Sequence, residues 1–162
     1  MKKDVEQQID AVFKAREEKA QRAHEVYKEK EDKATAFLQR FLAHRASLIK
    51  PALESIAEYL RTKGVDSRIE EADDQHSQQS ASITISLPVA TLDRSGHPSR
   101  DKQPHLTVVC DKHAQLVRFH ESTMSPTSAG HAGSAGEAKL EDVTQDLVHQ
   151  KVLAVVKDVF GR

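Results

Sequence analysis

The chain has 162 residues with a net charge of −1, a 4% aromatic fraction and no tryptophan. That length fits one domain with an extension, and so few aromatic rings imply a small, mostly aliphatic core. Charge is nearly balanced in both parts, about +3 over residues 1–50 and −4 over the rest. Neither part carries the basic excess of a dedicated nucleic-acid binder.

The single cysteine, Cys110, excludes an internal disulfide. No apolar run reaches the ~18 residues of a membrane span, and the polar start lacks the pattern of a secretory leader. The expected setting is cytoplasmic, with no membrane partner.

Residues 2–50 contain neither Gly nor Pro and are rich in Ala, Lys, Glu, Gln and Arg, the strong helix formers. Asp10 with Lys14, Glu18 with Arg22 and Glu29 with Lys33 repeat the favourable acid-to-base i,i+4 order. Val5, Ile9, Val12, Ala23 and Val26 follow a 3–4 spacing, but on a heptad the seam is broken at Arg16 and Lys19. A helix this polar has no place in its own domain's core. The reading is a polar helical arm over residues 1–36, joined to a small α+β domain over 37–162. Val5, Ile9, Val12 and Val26 are the candidate partner-binding residues.

From Phe37 to Leu60 the apolar face widens through Phe41, Leu42, Leu48, Ile49, Leu53 and Ile56. Pro51 predicts a kink or break near residues 47–50, because it lacks an N–H and crowds the carbonyl four residues back. Gly64, after a cationic turn, predicts the helix stop.

A short strand is expected at 67–71 and polar loops at 72–80 and 91–103. Ile83, Ile85 and Leu87 alternate with Ser82, Thr84 and Ser86 as in a half-buried strand. Residues 105–111 and 114–121 read as a β-hairpin turning at Asp111-Lys112-His113. Residues 122–136, low in complexity, read as a flexible loop. Val143 to Phe160 form an amphipathic helix, with Asp142 and Gln145 at capping-box spacing. The expected fold is α+β: a long helix kinked near Pro51, an antiparallel meander of about four strands, and a C-terminal helix packed on the sheet.

Chemical motifs are sparse. Gly130, Gly133 and Gly136 lack the strand-then-helix setting of a phosphate cradle. His105 and Cys110 are expected on opposite strand faces, which argues against their joining His113 and His120 around one zinc. Glu137-Ala138-Lys139 with Asp111 is the spacing of a metal-dependent nuclease, though a common one. Glu70, Glu71, Asp73 and Asp74 lack the alternation and glycine of a calcium loop. No catalytic residue, metal ligand or cofactor is therefore assigned. The function expected is a non-enzymatic interaction or scaffold protein, oligomerising or docking on a larger assembly through its first helix. The alternatives are a nucleic-acid accessory protein using Lys14, Arg22, Lys30, Lys33, Arg40, His44, Arg45 and Lys50, and then a small metal-dependent nuclease.

Overall fold

A computed structural model describes residues 2–75, 79–89, 103–125 and 129–161. The loop expected at 91–103 lies outside them except for Gln103; of the loop expected at 72–80, Ala72 ends a strand and residues 73–75 and 79–80 carry no regular structure. The chain is α+β. Helix α1 (Lys3–His44) runs through a π-helical turn (Arg45–Ile49) into α2 (Lys50–Thr62). Strands β1 (Arg68–Ala72), β2 (Ser82–Ser86), β3 (His105–Asp111), β4 (Leu116–Ser122) and β5 (Ala132–Ala138) follow, then a 3₁₀ turn (Leu140–Asp142) and α3 (Gln145–Phe160). All neighbouring strands pair antiparallel in chain order, β1 to β5.

The expected break at Pro51 takes a different form. The helix does not stop; it widens by one residue per turn before the proline, with the Lys50 N–H donating to the Arg45 carbonyl five residues back. A π turn lets the ladder tolerate a residue that cannot donate. Gly64 ends α2 as expected. It takes the left-handed conformation (φ +83°), while its N–H donates to Arg61 O and the Val65 N–H to Leu60 O, the pairing of a Schellman motif.

The core lies between the sheet and a layer made by the end of α1, the π turn, α2 and α3. Ile83, Ile85, Leu106, Val108, Cys110, Val117 and Phe119 are buried on one sheet face. Phe37, Phe41, Ile49, Leu53, Val148, Val152 and Val155 meet them from the helices. The alternation expected for β2 is the one observed, and β3 and β4 alternate in the same way.

Three boundaries differ from expectation. The hairpin turn spans residues 112–115, with Gln115 at φ +54°, so β4 starts two residues late. Residues 132–138, the first five of them expected within the flexible loop 122–136, form a fifth strand along β4. Its small side chains contribute little burial; backbone pairing holds it, helped by Lys151, which donates to the Ala135 carbonyl at a bulge opposite Arg118 and His120. Gly136 sits there at φ +107°. Finally, α3 is capped by Thr144, whose Oγ1 accepts the Leu147 N–H at 3.2 Å. Asp142 belongs instead to the 3₁₀ turn that buries Leu140 and Val143.

Candidate interaction surface on the helical arm

Residues 2–30 are exposed without exception, and full burial begins at Ala34. At 1.5 Å per residue, about 40 Å of α1 stands clear of the body. Helix formation over this length follows from composition, supported by pairs such as Lys33–Glu29 at 3.0 Å and Gln8–Asp4 at 3.3 Å. Such pairs contribute only tenths of a kcal/mol each.

This solvated helix carries large apolar side chains. Val5, Ile9, Val12, Phe13, Val26 and Tyr27 are 42% to 67% exposed. The first three and Val26 are the candidates named from sequence; Phe13 and Tyr27 are additions. Residues eleven apart on an α-helix return to within about 20° of one another. Val12, Ala23 and Ala34 form one such series, and Val5, Arg16, Tyr27 and Leu38 another. A third runs Ile9, Ala20, Glu31, Leu42. Within these three series from Val5 to Ala34 the interruptions are Arg16 and Glu31, while Lys19 and Lys30 lie along their edge, between them and Val26. Ala34, Leu38 and Leu42 pack on or into the body. The arm's stripe is therefore the outward continuation of the face that α1 buries in its own domain.

Six half-exposed side chains gain about 1 kcal/mol each on full burial. Association itself costs ~4–15 kcal/mol. A partner held by this stripe alone is held weakly.

The remaining sequence candidates are taken up by the fold. Arg45, nearly buried, donates from Nη1 to the carbonyls of Ala72 and Ser82, both at 3.0 Å, and from Nη2 to Asp73 at 3.1 Å. Glu71 lies 3.6 Å from both Arg45 and Lys50. Asp74 pairs with Lys112 at 3.1 Å, so Glu71, Asp73 and Asp74 of the acidic cluster face the protein's own cations. His44 contacts the Val143 carbonyl at 2.7 Å.

Asp111 and Glu137 do converge, but on Arg118, at 2.7 and 3.0 Å. Partial burial opposes the charge on Asp111, yet the Ala114 N–H and Arg118 outweigh it and hold its carboxyl below the usual range. An arginine between the two carboxylates occupies the position a divalent ion would need. Lys139 is exposed beside them. His105 bonds the Gln103 carbonyl from the face opposite Cys110, as strand alternation requires. Burial pushes the Cys110 thiol up to about 12, which removes it as a nucleophile at neutral pH. Among the described residues no group of three or more His, Cys, Asp or Glu could hold a metal. No helix among them is long and apolar enough to cross a membrane.

Compared with family models, curated proteins and solved structures, the chain matches none.

Proposed function

We propose that this protein is a non-enzymatic interaction or scaffold protein that docks or oligomerises through its N-terminal helix. The observation that carries this reading is the stripe of Val5, Ile9, Val12, Phe13, Val26 and Tyr27, exposed on a helix that leaves its own body. Large apolar side chains left in solvent on an otherwise charged helix, here in two groups at residues 5–13 and 26–27, support a partner site. The α+β body then serves as the mount that fixes the arm's direction. A cytoplasmic setting belongs to the same proposal.

Charge supports a protein partner over a nucleic acid. Residues 1–36 hold nine basic and nine acidic side chains, giving no net attraction for phosphates. Of the basic residues nearer the body, Arg45 and Lys50 are already matched by Glu71 and Asp73. The experiment is co-purification of natively expressed full-length protein with and without Ile9→Glu and Val12→Glu. With cross-linking before lysis to capture a weak contact, the wild type should retain a discrete protein, another copy included, that the variant loses. Equal retention by both would refute the assignment to the arm. Salt-sensitive retention of RNA or DNA would point to the nucleic-acid alternative.

A further inference from the structure

Among the described residues the sheet ends on two edges, β1 and β5. An edge strand leaves alternate N–H and C=O groups unpaired, and those groups can bond an added strand. The two edges are built differently. β5 is interrupted by a bulge, turns at Gly136 (φ +107°) and gives its Ala135 carbonyl to Lys151. β1 pairs with β2 from Arg68 to Ala72 without a register shift.

The register fixes which β1 groups are free. The Leu87 N–H donates to the Pro104 carbonyl at 2.7 Å, and the Cys110 N–H to the Ala81 carbonyl at 2.9 Å. Bonding direction alternates along an antiparallel strand. Ile83 and Ile85 therefore turn their backbone groups to β3, and Ser82, Thr84 and Ser86 turn theirs to β1. Opposite the latter stand Ala72, Glu70 and Arg68. Ile69 and Glu71 are left with N–H and C=O pointing outward in the plane of the sheet, with no backbone partner among the described residues. Their side chains lie on the helix side, across from buried Ile85 and Ile83.

A groove runs beside this edge, lined by Glu54, Ala57, Glu58 and Arg61 of α2 and by Ser67 and Ile69. Ala57 is buried and Ile69 half-buried, so the groove has an apolar floor. Glu54 and Glu58 are exposed and stand four apart on one helix face, a like-charge spacing that costs helix stability. Neither has an ion-pair partner among the described residues, whereas Arg61 lies 4.0 Å from Asp66. The Ser67 hydroxyl is shut from solvent and has no hydrogen-bond partner there.

We infer that the groove between β1 and α2 takes an extended segment of a protein partner, added as a strand along β1 with cationic side chains at alternate positions beside Glu54 and Glu58. The outward backbone groups of Ile69 and Glu71 call for a strand, because a helix has already spent its own. Charge selects the cation. A residue directly opposite Ile69 exchanges both backbone bonds with it and shares its face, so every second side chain of the segment reaches α2. A second copy of β1 would place Ser67, Ile69 and Glu71 there, adding a carboxylate and no cation. The site is separate from the arm and does not depend on the arm's docking role.

The test titrates full-length protein with a capped peptide of about eight residues alternating lysine and threonine, followed by amide NMR shifts. Binding below ~1 mM is expected, with shifts at Ile69, Glu71 and residues 54–61 and slowed exchange of the Ile69 and Glu71 N–H groups. An alternating glutamate–threonine peptide should not bind. Methylating the lysine backbone nitrogens, which face β1 in this pairing, should abolish binding without changing any charge. Methylating the threonine nitrogens, which face solvent, should leave it. Glu54→Gln with Glu58→Gln should weaken binding about 5-fold at low salt, in a protein whose circular dichroism matches wild type. Ile9→Glu should bind as wild type does.

No shift up to ~1 mM peptide, or shifts outside β1 and α2, would overturn the site. Equal binding of the lysine-methylated peptide would overturn strand addition, since charge alone would then suffice. Undiminished binding by the Glu54→Gln, Glu58→Gln variant, or equal binding of the glutamate peptide, would overturn the cationic partner. A peptide-free dimer that protects the Ile69 and Glu71 amides would overturn it in favour of a second copy. None of these outcomes bears on the arm, which the co-purification experiment above tests separately.

Discussion

Replacing Arg45 with methionine tests how the arm is fixed to the body. The residue stands eleven positions after Ala34, on the same helical face, where an apolar side chain would extend the stripe. Instead its guanidinium closes the end of the β1–β2 ladder, where Ala72 and Ser82 face each other and both carbonyls accept from Nη1. Methionine fills a similar length and removes every donor. Asp73 is 83% exposed, so its charge stays solvated and its lost ion pair costs little. The cost comes mainly from the two carbonyls, each losing a bond to a charged donor in a nearly buried site. At ~1–1.5 kcal/mol apiece the sum is roughly 2–3 kcal/mol. For a chain of this size that is a fall of about 5–10 °C in Tm. Arg45→Lys should be intermediate, because one ammonium cannot reproduce a planar fork that reaches carbonyls and carboxylates together. Urea unfolding followed by circular dichroism measures the difference, and amide exchange locates it. A change below ~0.5 kcal/mol for Arg45→Met, or unaltered protection of β1, would refute the reasoning.

Two further outcomes follow from the body. Cys110, raised to about 12 by burial and then by Asp74 and Asp111, should resist alkylation at pH 8 in the native protein and react fully in denaturant; rapid native labelling would contradict its placement. Because the folded state holds that proton above the ordinary value of 9.0, its contribution to stability is complete below pH 9 and declines as pH rises toward 12, which urea titrations across that range would show. Gln115 holds a left-handed conformation (φ +54°) in the hairpin turn, where a Cβ is strained. Gln115→Gly should therefore stabilise by about 0.5–1 kcal/mol, and a loss of stability would show that its side chain matters more than its backbone.

Most of the body could be read from sequence where side-chain burial alone sets the element. The alternation in β2, β3 and β4 belongs to that class, while the stop at Gly64 was legible because its left-handed backbone favours glycine. β5 is not set by burial. Ala-Gly-Ser-Ala-Gly-Glu-Ala has almost nothing to bury, so its strand depends on backbone pairing with β4 and on Lys151 and Arg118 at its side. Those partners are distant in sequence and leave no periodic mark. Pro51 signalled a disturbance correctly, but whether a helix breaks or widens depends on packing: Ile49 and Leu53 on either side are both buried, and the π turn keeps both in the core.

The arm shows a different gap. Val5, Ile9, Val12 and Val26 could be picked out by hydrophobicity. The continuity of their stripe with the buried face was hidden by reading it on a heptad, where Arg16 and Lys19 interrupt it. The eleven-residue series was present in the sequence, but only the burial of Ala34 shows which face it marks.

The most direct measurement of the arm's role is site-specific photo-crosslinking in cells expressing the full chain. One probe replaces Phe13, on the stripe, and another replaces Glu25, on the opposite side of the same helix. The account predicts a discrete cross-linked protein, a second copy of the chain included, from position 13 and none from position 25. Equal cross-linking from both positions, or none from either, would contradict it.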